Sequence, residues 1–256
     1  MISSCILTNE IIVLAQVIYG EEFVNKFIFD VDGTLTPSRQ EIDGDFAVFF
    51  SNFCAENDVY LVTGSDKEKT IEQIGEEIYS LAKRVYNCSG SDVWQGETHI
   101  RSDNWKIPMH VKSWLQDKLE ESNFPLRTGL HIEERPGMVN FSIVGRNATM
   151  GERKLYVKYD TEISERNLIA DLFNNEFTDL IARPGGETGI DISPKGADKS
   201  QIVNDFDPND VLYFYGDRMD IMGNDYPLKK VIIDNDLGFA IEVNGWKDTW
   251  SKLKCL

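Results

Sequence analysis

Asp30 ends the largely apolar run KFIFD, and Asp32 stands two residues on, directly before Gly33 and Thr34. On an extended segment residues i and i+2 point to the same side, so both carboxylates are presented together. Two ionised carboxylates that close repel each other. A hard divalent cation held by oxygen ligands would relieve that repulsion. A carboxylate can also attack phosphorus to give an aspartyl-phosphate, a recognised covalent intermediate. The second carboxylate is then placed to give a proton to the departing oxygen and later to remove one. A DxD pair in a polar loop can also be a turn or cap. The hydrophobic strand before this pair and the Gly-Thr after it favour chemistry. Asp30 is the candidate nucleophile and Asp32 the candidate general acid/base.

The run 26–30 reads as a buried parallel strand that delivers residues to the C-terminal edge of a sheet. Residues 45–56 predict a helix with an apolar stripe of Phe46, Phe49, Phe50 and Phe53. Residues 59–62 predict a second buried strand, ending in the polar turn Thr63, Gly64, Ser65, Asp66, and a helix follows through about Leu81. This alternation predicts a parallel α/β sheet. From about Asp92 the pattern changes. Residues 93–100 around Gly96 predict a hairpin, 111–121 an amphipathic helix, and 130–133 with 138–144 paired strands around Pro136 and Gly137. A helix near 164–174 and a strand at 178–182 follow. The α/β pattern returns after Gly185 and Gly186, with strands at 211–215 and 231–233 and a closing helix at 243–253. The expected fold is a doubly wound α/β core, residues 1–91 and 188–256, with an inserted α+β domain at 92–187. In open α/β sheets ligands bind outside the carboxyl ends of the strands, which places the expected site at Asp30, where core strand ends face the insert.

The 256 residues carry a net charge of −17, from 26 basic and 43 acidic side chains. A surface this acidic repels nucleic-acid phosphates and anionic lipid, so neither is an expected partner. An anionic substrate would need a bound cation and a few concentrated basic groups. Cys5, Cys54, Cys88 and Cys255 are scattered without a CxxC pair, which suits reduced thiols in a cytosolic protein. The apolar stretch 11–19 is too short to span a bilayer and follows no basic residue, so it is a poor signal peptide. His99, His110 and His131 have no metal-ligand spacing. Trp94, Trp105 and Trp114 are expected in the core of the insert.

The segment FDVDGTLT resembles the first motif of the haloacid dehalogenase-like phosphotransferase superfamily, and three further motifs follow in order. Thr63 matches the hydroxyl that binds the transferring phosphoryl group. Lys199 matches the lysine that balances nucleophile and phosphate charge. Asp217, with Gly223, Asn224 and Asp225, matches the acidic motif of a magnesium site. The resemblance implies Asp30 as nucleophile and metal ligand, Asp217 as a second ligand and the carbonyl of Asp32 as a third. Asp225 would support them.

A closer resemblance, over roughly residues 27–225, is to the eukaryotic-type phosphomannomutases. It rests on FDVDGTLTPSRQEID with Arg39, on ERPGMVN leading to GRN and ER, and on Gly185, Gly186, Asp191 and Lys199. Arg135, Arg146 and Arg153 match that family's arginines in spacing. A mutase must hold a sugar bisphosphate by one phosphate while the other meets the nucleophile. Guanidinium forks suit that distal phosphate. The resemblance further implies that Asp191 binds sugar hydroxyls. It implies magnesium as cofactor, a hexose 1,6-bisphosphate activator, a hexose phosphate substrate and a possible homodimer through the insert. Two residues depart from the family: Thr63 stands where glycine is usual, and Gly189 replaces a serine. Both would suit the alternative of a magnesium-dependent sugar-phosphate phosphatase; the arginine trio suits the mutase.

Overall fold

The computed structural model describes residues 23–221 and 223–256. Cys5, the apolar stretch 11–19 and the rest of the N-terminal extension through residue 22 lie outside the described residues. Along the chain run β1 (Val24–Phe29), α1 (Gly44–Glu56), β2 (Asp58–Val62), α2 (Lys67–Leu81), β3 (Arg84–Asn87), β4 (Asp92–Gln95) and β5 (Thr98–Ser102). Then come α3 (Met109–Glu121), β6 (Ile132–Arg135), β7 (Met138–Phe141), α4 (Met150–Ile163), α5 (Glu165–Glu176), β8 (Leu180–Gly185) and β9 (Gly189–Pro194). The chain closes with β10 (Asp210–Gly216), α6 (Tyr226–Asp234), β11 (Gly238–Glu242) and α7 (Trp246–Leu253).

The chain divides into two compact units, one running to Arg101 and resuming at Asp198, the other Ser102–Ala197. Among the described residues the first holds a sheet in the order β11-β10-β1-β2-β3-β4-β5. Its first five strands are parallel, and β4 pairs antiparallel with β3. Alternation along the central strands feeds two cores. Phe27 and Phe29 of β1, with Tyr213 and Tyr215 of β10, pack under α1, α2 and α7. Ile28, Leu212 and Phe214 pack on the opposite face with Leu228 and Ile232 of α6. Each of the first two helices starts on an aspartate that caps its free N–H groups: Asp43 accepts from Asp45 and Phe46, and Asp66 from Lys69. The second unit holds an antiparallel sheet in the order β6-β7-β9-β8. Val111, Leu115, Phe141, Tyr156, Phe173 and Ile192 lie in its core.

Three expectations are corrected. The insert does not begin at 92 or end at 187. The 92–102 hairpin extends the first unit's sheet, and β9 is satisfied only by pairing with β7 and β8. Trp94 therefore packs in the first unit, while Trp105 and Trp114 do pack on the second unit's core. Residues 231–233 are the last turns of a helix rather than a strand. Leu228 and Ile232, four apart, are both buried there, and that spacing overrides the β preference of three branched residues. The strand falls instead at β11.

Candidate active site

Asp30 is the first residue past β1, and its N–H donates to the Tyr215 carbonyl at 2.9 Å. Phe29 stacks on Tyr215, with ring centroids 4.8 Å apart. The strand end is thereby fixed against β10. Lys199 opens a tight turn whose first residues are capped by Asp198. Its ammonium donates to Asp30 Oδ1 at 2.5 Å and to Asp225 Oδ1 at 2.7 Å. Asp30 and Lys199 are only 2% and 1% exposed, so this charge pair is out of water. Asp225 is buried too, and its other oxygen accepts the Arg218 N–H at 3.1 Å.

Burial pushes the Asp30 carboxyl well above the usual range. Lys199 opposes the shift, and Asp225 and Asp217 add to it. Burial alone would lower Lys199, but Asp225 and Asp30 outweigh it and hold the ammonium protonated. Asp217 is pushed up to about 6, chiefly by burial and then by Asp225.

Asp30, Asp217 and Asp225 offer ligand atoms within 4.8 Å of one another. Asp30 Oδ2 is buried and has no protein partner. A Cβ on Gly33 would stand 2.2 Å from Asp217 Oδ2, and Gly33 has φ +81°, so only glycine leaves room for that carboxylate. Three carboxylates against one ammonium, with an unpartnered oxygen among them, fit a hard divalent cation such as magnesium.

Asp32 is turned another way. Its Oδ1 accepts the Arg39 N–H at 2.7 Å and Gln73 Nε2 at 3.0 Å. Arg39 reaches that position in a left-handed backbone conformation, φ 59°. Thr63 is buried just past β2, and its hydroxyl accepts the Ser65 N–H at 3.1 Å.

The other expected residues lie in the second unit. Arg135 donates through Nε, at 2.9 Å, and Nη2 to Glu133 Oε2, and Arg146 Nε stands 3.1 Å from the same oxygen. One carboxylate thus gathers two of the three arginines. Arg153, near the start of α4, pairs with Glu187 at 3.7 Å instead. Asp191 lies on β9, in this unit rather than in the core, and accepts from Asn140 at 2.6 Å. A Cβ on Gly189 would come within 2.5 Å of Asn140 Nδ2. Sequence reading missed Gln73, Glu133 and Asn140. Gln73 carried a signal as a polar residue on a helix stripe with Thr70 and Ile74, both of which are buried, and Asn140 closes the run ERPGMVN; Glu133 carried none.

A family profile described as eukaryotic phosphomannomutase matches residues 46–256. The chain belongs to that family. The phosphomannomutase of Saccharomyces cerevisiae is 28% identical over 243 residues, covering 90% of this chain and 93% of that protein. That of Galdieria sulphuraria is 32% identical over 210 residues, covering 78% and 83%. Among solved structures, the C-terminal domain of C. albicans trehalose-6-phosphate phosphatase has a TM-score of 0.57 at 16% identity, covering 91% of this chain and 84% of that one. A haloacid dehalogenase-like hydrolase from Bacteroides thetaiotaomicron also scores 0.57 at 12% identity, covering 91% and 99%. The α/β fold is therefore haloacid dehalogenase-like. As a member of the phosphomannomutase family the chain is an enzyme, a phosphotransferase of the isomerase kind. No helix among the described residues is long and apolar enough to cross a membrane.

Proposed function

We propose that this chain interconverts mannose 6-phosphate and mannose 1-phosphate, passing the phosphoryl group through Asp30. The observation that carries the reading is the buried Asp30 carboxylate, tied through Oδ1 to Lys199 while Oδ2 is left without a protein partner. That is how a nucleophile is held in one orientation with one oxygen available. A hexose 1,6-bisphosphate activator phosphorylates Asp30. The phosphoryl group then moves to the free hydroxyl of the hexose monophosphate, giving a bisphosphate. The bisphosphate reorients, and its other phosphate returns to Asp30. Lys199 offsets the charge that builds on the phosphoryl oxygens. Asp32 gives and takes the sugar hydroxyl proton, and the Thr63 hydroxyl is suited to bind a phosphoryl oxygen. A magnesium ion held by Asp30, Asp217 and the Asp32 carbonyl, with Asp225 behind them, would neutralise phosphoryl charge.

The phosphate not being transferred needs its own clamp. Arg135 and Arg146, gathered on Glu133, and Arg153 supply three guanidinium groups for it. Arg39, in the first unit, is a further substrate-binding candidate. Asp191, on β9 of this unit, accepts from sugar hydroxyls. The second unit then carries the residues that set specificity. It also carries exposed apolar residues on α4 and α5, including Leu155, Ile163, Leu168 and Leu172, which support pairing of two copies through this unit. Sedimentation at equilibrium tests this, and a monomer at all concentrations would refute it. The described cysteines are free, which suits a cytosolic location testable by cell fractionation.

The alternative, a sugar-phosphate phosphatase with the same nucleophile, is favoured by the buried Thr63 hydroxyl and by Gly189, where no side chain can reach a phosphate. One assay separates the two. Pure enzyme receives mannose 1-phosphate, magnesium and trace bisphosphate, and the products are resolved. Mannose 6-phosphate is the expected product. Inorganic phosphate without mannose 6-phosphate would refute the mutase reading.

A further inference from the structure

The two oxygens of the Asp32 carboxylate are not equivalent. Oδ1 accepts two N–H groups, from the Arg39 main chain at 2.7 Å and from the Gln73 amide at 3.0 Å. No such donor among the described residues reaches Oδ2. Gln73 is 3% exposed, and a primary amide is buried at a cost unless its hydrogen bonds are made. Its Nε2 donates to Asp32 Oδ1 and to Thr36 Oγ1, at 3.4 Å, while its Oε1 is buried with no hydrogen-bond partner, so the donor side alone ties the amide to Asp32.

The main chain holds Gln73 in place as well. Helix α2 breaks at Gly75, whose φ of 81° and ψ of 156° are not helical. The Gln73 carbonyl would otherwise accept within the helix; here it accepts the Ile42 N–H at 2.7 Å. Gln73 therefore grips the segment 32–42 at both ends, by its side chain and by its backbone.

We propose that Gln73 is a positioning residue for Asp32. It pins Oδ1 and thereby makes Oδ2 the oxygen that carries the proton. The inference rests on the reading of Asp32 as general acid/base. As a bond forms between Asp30 and phosphorus, the bond from phosphorus to the sugar oxygen breaks. The proton on Asp32 Oδ2 passes to that oxygen, leaving a sugar hydroxyl and an Asp32 carboxylate. The reverse transfer regenerates the acid. With Gln73 absent, the Arg39 N–H remains the donor on Oδ1, the carboxylate is held by one bond instead of two, and the proton on Oδ2 is delivered less often.

The test compares two phosphoryl donors in single-turnover release of the leaving group. Mannose 1,6-bisphosphate needs its sugar oxygen protonated; acetyl phosphate leaves as a stable anion and does not. In Gln73→Met, of similar size but without the donor, the rate ratio of acetyl phosphate to bisphosphate should rise at least about tenfold over the native enzyme. Removing general-acid catalysis altogether raises it by about 10²–10⁴, so Asp32→Asn should show the larger rise. Gln73→Asn, an amide too short to reach, should match Gln73→Met and serves if that variant does not fold. An unchanged ratio in both Gln73 variants, beside a raised ratio in Asp32→Asn, overturns the role of Gln73 alone. An unchanged ratio in Asp32→Asn overturns the reading of Asp32 and this inference with it. A purely structural role for Gln73 would slow both donors by the same factor and is likewise ruled out only by a raised ratio.

Discussion

Lys199 and Asp30 form a buried ion pair, 2.5 Å from Nζ to Oδ1, that joins residues 169 positions apart in the chain. The same ammonium holds Asp225 at 2.7 Å. One cation thus serves two carboxylates in a place that water does not reach. An arrangement of this kind is costly to assemble and more costly to leave half-made.

Lys199→Met removes the ammonium shared by Asp30 and Asp225 and takes away the counter-charge that the described residues give them. Breaking a buried pair in this way destabilises a fold by about 3–5 kcal/mol. Urea unfolding of the metal-free protein measures it. A loss below about 1 kcal/mol would show that the carboxylates find another partner or take up protons.

The titration of Asp217 gives a pH dependence with a definite sign. Its carboxyl is raised from 3.8 to about 6, and Asp30 moves in the same direction. The folded state therefore binds protons more tightly than the unfolded one in that window. Stability of the metal-free protein falls as pH rises through it. A cation takes the place of those protons, so the rise in Tm on adding magnesium should be small near about pH 4 and grow towards about pH 7. Differential scanning fluorimetry across that range decides it, and a magnesium increment that does not vary with pH would count against these carboxylates as the metal site.

Gly33 makes room for Asp217, with φ +81° and space for no Cβ. Gly33→Ala should weaken magnesium activation by about tenfold or more, since about 1–2 kcal/mol of left-handed strain adds to the clash. Titration of activity against magnesium reads this. An unaltered half-saturation point would mean that Asp217 is not a ligand.

Arg146→Ala removes one guanidinium from the pair gathered on Glu133. Loss of a charge-assisted hydrogen bond of about 1.5–3 kcal/mol should raise KM for hexose phosphates about 10–100-fold. Phosphorylation of Asp30 by acetyl phosphate, which has no distal phosphate, should respond far less. Equal losses with both donors would remove Arg146 from the clamp.

The candidate nucleophile was legible in the sequence because a buried strand, a tight turn and paired carboxylates are local signals. Asp30 and Asp32 are carried by one strand end, and no other part of the chain is needed to see them. The order of Thr63, Lys199, Asp217 and Asp225 could be read only by resemblance, and the meeting of Lys199, Asp217 and Asp225 at Asp30 is a property of the parallel sheet. Glu133 was hidden among acidic neighbours, because what sets it apart is the two arginines that converge on it in space. The unit boundaries were misplaced for a related reason. Whether the 92–102 hairpin joins one sheet or another depends on a pairing partner, Arg84–Asn87, and not on the hairpin's own residues. At 231–233 three β-branched residues suggested a strand, and tertiary burial of Leu228 and Ile232 won.

The account stands on phosphorylation of a single side chain, and that can be trapped. An acyl phosphate is reduced by borohydride to the alcohol, which converts a phosphorylated aspartate to homoserine. Enzyme mixed with mannose 1,6-bisphosphate and magnesium, quenched with borohydride and digested, should show homoserine at position 30 alone by peptide mass spectrometry, and Asp30→Asn should show none. Reduction at another carboxylate, or steady turnover by Asp30→Asn, would contradict it.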